Sequence, residues 1–363
     1  MSNSLGTVFR ITSFGESHGE CVGVVVDGCP AGVSIDPADI QTYLNRRRAA
    51  EQPGATPRKE PDAVRLLSGV HKGLTTGAPL CMLIENTNIQ SEDYSDYERI
   101  PRPGHADYPA RIRYGGFNDP RGGGRFSGRI TAGFVMAGSI ARAVLSHVGV
   151  QVYAHTVAIG GIEAPSCEPE QVREFSRVDA LGCIDPASAA LMEGAIEEAK
   201  ARGDSVGGVV ECVVLGLPPG VGEPVFDGLE GEIARAVFSI PAVKGIEFGG
   251  GFALSRVRGS ESNDPYVMDR GVVRTAKNDC GGMLGGLSTG MPLVVRVGIK
   301  PTPSISIAQR TVDLDLGREV ELSITGRHDT CIVPRAVVVV ESMVACALCD
   351  LGVRSGLIPG VVA

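Results

Sequence analysis

Apolar residues along this chain come in short runs broken by glycine, proline and charge, and the period within each run separates strands from helices. Runs rich in Val, Ile and Leu at 21–27, 80–85, 152–159, 207–215, 292–298 and 320–324 have the length and β-branched content of buried strands. Asp36 followed by Pro37 is an N-cap and first-turn pair, and it predicts a helix that ends in Arg46, Arg47 and Arg48. From 131 to 147, Phe134, Ala137, Ile140, Ala141 and Val144 fall on one helical stripe, which Val148 and Gly149 close. Two more helices are predicted at 187–202 and 229–239, and VVVVESMVACALCDLG at 337–352 reads as a buried strand or helix. Strands and helices alternate, so the fold class is mixed, α+β.

The pattern repeats at long range. VGVVVDGCPAGVSID (22–36) is echoed by GVVECVVLGLPPGVGEPVFDG (208–228): a valine-rich strand, a Gly-Pro turn, then an acidic helix cap. GLTTGAPL (73–80) is echoed by GLSTGMPL (286–293), each leading into a strand. Two echoes in the same order predict two related halves, approximately 21–150 and 206–330, within a single domain spanning 1–363. Such halves would pack as one layered body with a cleft between them.

Composition adds limits. At 363 residues, 43% hydrophobic and 21% charged, the chain has the makeup of a soluble globular protein with a large core. No apolar stretch is expected to reach membrane-spanning length, and the N-terminus lacks the basic and apolar regions of a secretory signal. Ten irregularly spaced cysteines, with only Cys346 and Cys349 as a C-x-x-C, suit reduced packing thiols in a cytoplasmic protein rather than a zinc site. A net charge of −8 disfavours nucleic acid and acidic membranes as partners. Within that acidic chain, 99–129 holds seven arginines against two aspartates, a local excess of five positive charges. Arg46, Arg47, Arg48, Arg58 and Lys59 form a second cluster. Arginine in that concentration suits bidentate recognition of phosphate or carboxylate.

Chemistry gathers where glycine punctuates the pattern. In FGESHGECVG, His18 stands on a glycine-rich turn ahead of a strand, either as a proton-transfer group or as a solvated turn residue. His105 lies inside the arginine stretch, which ends in RGGGRFSGR before a helix. A glycine-rich loop feeding a helix N-terminus binds anions, and Arg125 and Arg129 add charge there; an RGG-type RNA contact is the rival reading. IKPTPSISI offers Lys300, Thr302 and Ser304 on a proline-stiffened turn after a strand. GRHDTC brings Arg327, His328 and Asp329 together, with Asp329 placed either as a base or as the cap of the next element. His147 suits a helix C-terminus, while His71 and His155 sit in apolar surroundings as structural residues.

Taken with LNRRR, TPRKEPDAVRLLSGVHKGLTTG, RPGHADY, AVKGIEFGGGF and GGMLGGLSTG, these motifs make the chain resemble the chorismate synthase family over essentially its full length. The resemblance implies a β-α-β sandwich with internal pseudo-twofold symmetry, assembled as a homotetramer. It implies the 1,4-anti elimination of phosphate from 5-enolpyruvylshikimate 3-phosphate to give chorismate, with reduced FMN required and no net redox change. By motif, His18 corresponds to the acid that protonates the departing phosphate. His105 corresponds to the histidine that stabilises or protonates the reduced flavin, and Asp329 to the aspartate that acts with flavin N5 on the C6 proton. Arg47, Arg102, Arg129 and Arg327, with Ser17 and Ser127, correspond to substrate contacts. Arg125, Phe126, Ser127, Pro241, Ala242, Gly285, the turn Lys300, Pro301, Thr302, Pro303 and Ser304, and Arg327 correspond to flavin contacts.

Two departures from the family pattern stand out: Pro53 replaces a further arginine after the triple arginine, and Phe126 replaces a commoner serine in the glycine-rich motif. The family's motifs run from Phe14 to Asp329, and no G-x-G-x-x-G loop follows a strand. An external flavin reductase or another source of reduced FMN is therefore expected. The alternatives, a non-catalytic flavin-binding protein or an RGG-type RNA-binding protein, have no use for the two histidines with Asp329 or want a basic, aromatic-rich surface that this chain lacks.

Overall fold

Valines at alternate positions of the second run, Val22, Val24 and Val26, are fully buried, as a strand with one face on a core requires. The computed structural model, which describes residues 3–48, 54, 61–87, 96–175, 180–324 and 328–362, builds outward from such strands. The chain runs through β1 (Ser4–Leu5), β2 (Arg10–Gly15), β3 (Cys21–Asp27), α1 (Pro37–Arg47), β4 (Arg65–Ser68), the hairpin β5 (Val70–His71) and β6 (Leu74–Thr75), and β7 (Leu80–Glu85). After α2 (Asp107–Tyr114), two tight 3-10 segments, Arg121–Phe126 and Gly128–Ile130, lead into α3 (Thr131–His147). Next come β8 (Gln151–Ile159), β9 (Ile162–Glu163), α4 (Pro169–Phe175), α5 (Pro186–Ala201), β10 (Gly208–Leu215) and α6 (Leu229–Val237). The last stretch holds β11 (Val243–Phe248), α7 (Gly259–Ser262), and the hairpins β12 (Tyr266–Asp269) with β13 (Val272–Thr275) and β14 (Met283–Leu284) with β15 (Leu287–Ser288). It closes with β16 (Leu293–Ile299), β17 (Gln309–Asp313), β18 (Arg318–Leu322) and α8 (Val333–Arg354).

Two five-stranded antiparallel sheets result, in the orders β1-β2-β3-β7-β4 and β11-β16-β10-β8-β9. Helices α3 and α8 pack on each other between them, α3 against β3 of one sheet and α8 against β8 and β10 of the other. The architecture is a β-α-β sandwich. Its two sheets are assembled in the same order of elements: β2, β3, α1, a short hairpin, β7 and α3 in one half; β8, β10, α6, a short hairpin, β16 and α8 in the other.

The middle layer explains a correction. Gly128–His147 and Val333–Arg354 are long and apolar enough to cross a bilayer, contrary to expectation, but both are buried inside the fold between the sheets. Cys346 and Cys349 are buried packing residues of α8, and all ten cysteines are free thiols. Charge is buried there only with partners: Glu341 of α8 pairs with Arg46 at 2.7 Å and with Arg142, whose guanidinium lies 4.9 Å from the Tyr43 ring centre. The N-terminal turn is pinned to α8 by Asp350, which accepts the backbone N–H groups of Thr7, Val8 and Phe9.

Local signals held at the helix starts. Asp36 caps α1, its carboxylate accepting from the Ala38 N–H at 2.8 Å. The strand expected at 320–324 lies two residues earlier, because the Ile324 N–H leaves the β17–β18 ladder for the Ile305 carbonyl. His71 is exposed on its short hairpin rather than set in apolar surroundings, whereas His155 is buried against Glu211.

Candidate active site

A cavity of about 610 Å³ opens beside the N-terminal ends of α3 and α8, where the loops after β2, β7, α6 and β16 converge. That volume lies within the range of small-molecule sites. His18, from the β2–β3 loop, is buried at its edge, and its ring is packed against the glycine triplet. Gly122 and Gly123 have φ of +60° and +79°, which only glycine adopts at little cost. A Cβ on Gly122 would stand 2.5 Å from His18 Nε2 and 2.9 Å from Ser17 Oγ; one on Gly123 would stand 3.4 Å from His105 Nε2. The triplet is therefore a thin partition that lets backbone approach both histidines.

The arginines that border this cavity are already held. Arg47 donates through Nε to Thr131 Oγ1 at 2.9 Å and through Nη2 to the Gly128 carbonyl at 3.0 Å. Arg129 donates to Asn86 Oδ1 at 2.9 Å. Between the two stands Asp62, 3% exposed and itself at a positive φ of 46°, which pairs with Arg47 at 3.3 Å and with Arg129. Burial, together with Arg335, pushes the Arg47 guanidinium pKa down, and Asp62 works against that shift. Asp62 was not recognised from sequence, where it is one acid in an ordinary EPD. Its positive φ and its pairing with two arginines exist only in three dimensions.

A second cluster holds His105. Arg102 donates to Asp107 through Nε at 2.8 Å, and Asp107 Oδ1 lies 2.5 Å from His105 Nδ1. The Arg102 guanidinium also lies 4.7 Å from the Tyr97 ring centre. Burial opposes the charged form of Asp107, but hydrogen bonds from Arg102 and His105 outweigh it and hold its carboxyl well below the usual carboxylate range.

Another part of the wall is different in kind. Phe126, Ile240, Pro241, Ala242 and Val339 give it an apolar face, with Lys244, Lys300, Thr302, Pro303 and Ser304 around it. Lys300 Nζ donates to the Gly104 carbonyl at 2.7 Å and so ties this wall to the His105 loop. Burial, aided by Lys244, lowers the Lys300 pKa. Thr302 Oγ1 is buried with no hydrogen-bond partner among the described residues. Asp329 borders the cavity and pairs with Arg335 at 2.5 Å; it does not cap α8, whose N-cap position is Ile332.

Of the residues expected from sequence, His18, His105, Asp329, Arg47, Arg102, Arg125, Phe126, Ser127, Arg129, Pro241, Ala242, Lys300, Thr302, Pro303 and Ser304 line this one cavity. The guanidinium of Arg125 is turned to β2, where it donates to Ser13 Oγ at 3.2 Å and the Gly15 carbonyl at 3.1 Å. Ser127 accepts from the Arg129 N–H at 3.3 Å and so caps the turn into α3. Ser17 is buried behind Gly122, Pro301 is not among the lining residues, and Gly285 is exposed at the tip of the β14–β15 hairpin. Arg327 and Pro53 lie outside the described residues, as do Arg58 and Lys59. The arginine-rich stretch divides: Arg102, Arg125 and Arg129 reach the cavity, while Arg99 pairs with Asp313 and Arg121 with Asp119.

Comparison with known proteins points to one family. The chorismate synthase family model matches residues 9–353. The chorismate synthase of Dehalococcoides mccartyi is 54% identical over 100% of both chains, and that of Korarchaeum cryptofilum 50% over 96% of this chain and 97% of its own. A crystal structure of chorismate synthase superposes with a TM-score of 0.76 at 29% identity, covering 96% of this chain and 93% of that one. With the motif histidines, the glycine partition and the arginines all meeting at one cavity, these likenesses converge: the chain belongs to the chorismate synthase family.

Proposed function

We propose that this cavity binds 5-enolpyruvylshikimate 3-phosphate beside reduced FMN, and that His18, His105 and Asp329 handle the protons of the elimination. The chain is a carbon–oxygen lyase acting on a phosphate, and its reaction is the family's conversion of 5-enolpyruvylshikimate 3-phosphate to chorismate and phosphate with a reduced flavin. The observation that carries the site assignment is that two histidines from loops 87 residues apart in sequence (18 and 105) meet on one glycine partition beside Arg47, Arg102 and Arg129.

The substrate carries two carboxylates and a phosphate, and the arginines give it fixed cations. His18, buried next to Gly122, is placed to protonate the phosphate as its C–O bond breaks. Asp329, at the cavity beside Arg335, takes the C6 proton, with Arg335 orienting its carboxylate. The residues present fit a flavin: an apolar face for the ring system, the Thr302 hydroxyl, unpartnered among the described residues, as a polar contact, and Lys244 and Lys300 for a terminal phosphate. Those lysines support FMN rather than an unphosphorylated flavin. Reduced flavin, when bound, supplies electron density to the breaking allylic bond and recovers it as the proton leaves. Exposed Phe226, Phe252, Tyr266 and Met268 on the second half support a homotetramer. The matched order of elements, from β2 to α3 and from β8 to α8, supports one domain built from two related halves, each extending beyond the echoes at approximately 21–150 and 206–330.

An anaerobic assay with substrate tests the reading. With oxidised FMN and NADPH alone no chorismate should form; after chemical reduction of the flavin, many products should form per flavin. Turnover with NADPH alone would reveal a reductase in this chain, and oxidation of one flavin per product would overturn the redox-neutral scheme.

A further inference from the structure

His105 has two ring nitrogens, and the neutral ring carries a proton on only one of them. Three donors of Arg102 surround Asp107: the backbone N–H and Nε reach Oδ2 at 3.0 and 2.8 Å, and Nη2 reaches Oδ1 at 2.8 Å. Held this way the carboxylate is ionised, and an ionised carboxylate only accepts. Its fourth neighbour, His105 Nδ1 at 2.5 Å, must therefore bring the proton of that contact. Arg102 Nη2 also approaches Nδ1 at 3.1 Å, but a guanidinium has no lone pair to offer, so it cannot take the carboxylate's place as acceptor for Nδ1–H. Nε2 lies on the side of Gly123, at the cavity, and Arg102 Nη2 approaches it at 3.4 Å, a contact in which a guanidinium can only donate and Nε2 only accept.

We propose that Asp107 is a positioning residue that fixes His105 in its Nδ1–H tautomer, so that Nε2 is the atom that accepts or returns a proton in the cavity. The proposal rests on the reading of His105 as a proton-handling residue. Arg102 is the fixed part of the device: it anchors the carboxylate to the loop, and its own position is set by the Tyr97 ring and the backbone turn from 102 to 105. An asparagine at 107 makes the logic visible. Its single oxygen best occupies the place of Oδ2, where two Arg102 donors converge, which turns the amide NH₂ toward Nδ1. Nδ1 must then accept, and the ring proton moves to Nε2.

The test uses full-length protein labelled with [15N]histidine, in which six histidines contribute signals and His105 is identified by the signal missing from His105→Gln. In the parent protein the neutral His105 should show a protonated, pyrrole-type Nδ1 and an unprotonated, pyridine-type Nε2. That measurement needs no variant at 107, so it stands even if Asp107→Asn folds poorly. In Asp107→Asn the two nitrogen types should exchange, and kcat should fall on the order of 10²–10⁴-fold while KM for substrate moves far less. A parent ring protonated at Nε2 overturns the proposal, as does a variant that keeps the parent tautomer whatever its rate. A raised KM with kcat preserved also overturns it, because the effect then runs through Arg102. Exchanged nitrogens with an unchanged kcat leave the positioning of the ring intact and instead remove His105 from the reaction.

Discussion

The two halves of the sandwich share an order of elements and differ in what their equivalent loops carry. In the first half, the loop between β2 and β3 is five residues long and holds Ser17 and His18. The corresponding β8–β10 connection of the second half is a long excursion through α4 and α5 that supplies no lining residue among the described residues. The segment from β7 to α3 delivers Arg102, His105, the glycine triplet and Arg129; its counterpart from β16 to α8 delivers Lys300, Thr302, Ser304 and Asp329. One half thus provides most of the charge, His18, His105 and Phe126; the other provides Ile240, Pro241, Ala242 and Val339 with hydroxyls, lysines, His328, Arg335 and one carboxylate. The strands and helices carry the packing in both, which leaves the loops free to diverge; most of the chemistry sits on them, with Arg47, Asp107 and Arg335 added from the ends of α1, α2 and α8.

The largest expected effect follows from that division. His18→Ala and His105→Ala should each lower kcat by about 10²–10⁴-fold, the usual worth of a positioned acid or base. Polar substitutions in the lining supplied by the second half, Asp329 and Arg335 aside, should cost no more than about tenfold, by weakening binding. Steady-state kinetics of the two sets of variants decides it, and full activity in either histidine variant breaks the division of labour.

Next in size is a stability effect that only the first half should show. Asp62→Ala leaves Arg47 and Arg129 buried without their shared carboxylate, and breaking a buried pair costs about 3–5 kcal/mol. Denaturant unfolding should show that loss. An unchanged unfolding midpoint would mean that the arginines relax to solvent and that Asp62 does not lock them.

Much of the scaffold was legible in sequence, and the reasons are local. Cys21–Asp27, Leu80–Glu85 and Thr131–His147 could be read from their periodicity because each has a face committed to one core. β2 and β11 escaped, since RITSFG and VKGIEF mix polar and apolar residues without a clean period on strands that are only partly buried. The site residues were legible through their motifs, but their partners were not. Asp62 reaches Arg47 across 15 residues and Arg129 across 67, and Lys300 reaches the Gly104 carbonyl across 196. No spacing rule links such positions. The arginine stretch misled in one respect: its charge excess suited anion binding, yet Arg99 pairs with Asp313 and Arg121 with Asp119 of the stretch itself, and neither arginine lines the cavity.

A smaller effect sharpens the comparison through pH. Asp107 has a folded pKa below its unfolded value of about 3.9, so the stability it contributes is complete above that value and is lost as pH falls through the folded one. The parent protein should therefore lose stability as pH drops below about 4, and Asp107→Asn should show a shallower slope there. Thermal midpoints measured from neutral to acid pH compare the two slopes. Equal slopes would mean that other carboxylates dominate and that the Arg102–His105 setting does not hold Asp107 ionised.

The smallest expected effect belongs to the second half and has opposite signs with and without ligand. Thr302 Oγ1 is buried with no partner among the described residues, and an unsatisfied buried hydroxyl is a cost to the empty protein, on the order of 1–3 kcal/mol at most. Thr302→Val keeps the shape and removes the hydroxyl, so the ligand-free protein should be as stable as the parent or slightly more stable. If the hydroxyl is there for the flavin, the same substitution deletes one hydrogen bond from the complex, worth about 0.5–1.5 kcal/mol. Flavin affinity should then fall by roughly two- to about tenfold. Thermal unfolding without ligand and anaerobic titration with reduced FMN measure the two halves of this claim separately. A variant that is less stable without ligand, yet binds flavin as tightly as the parent, would show that Thr302 serves the packing of the turn and that the polar contacts to the cofactor come from elsewhere on this wall.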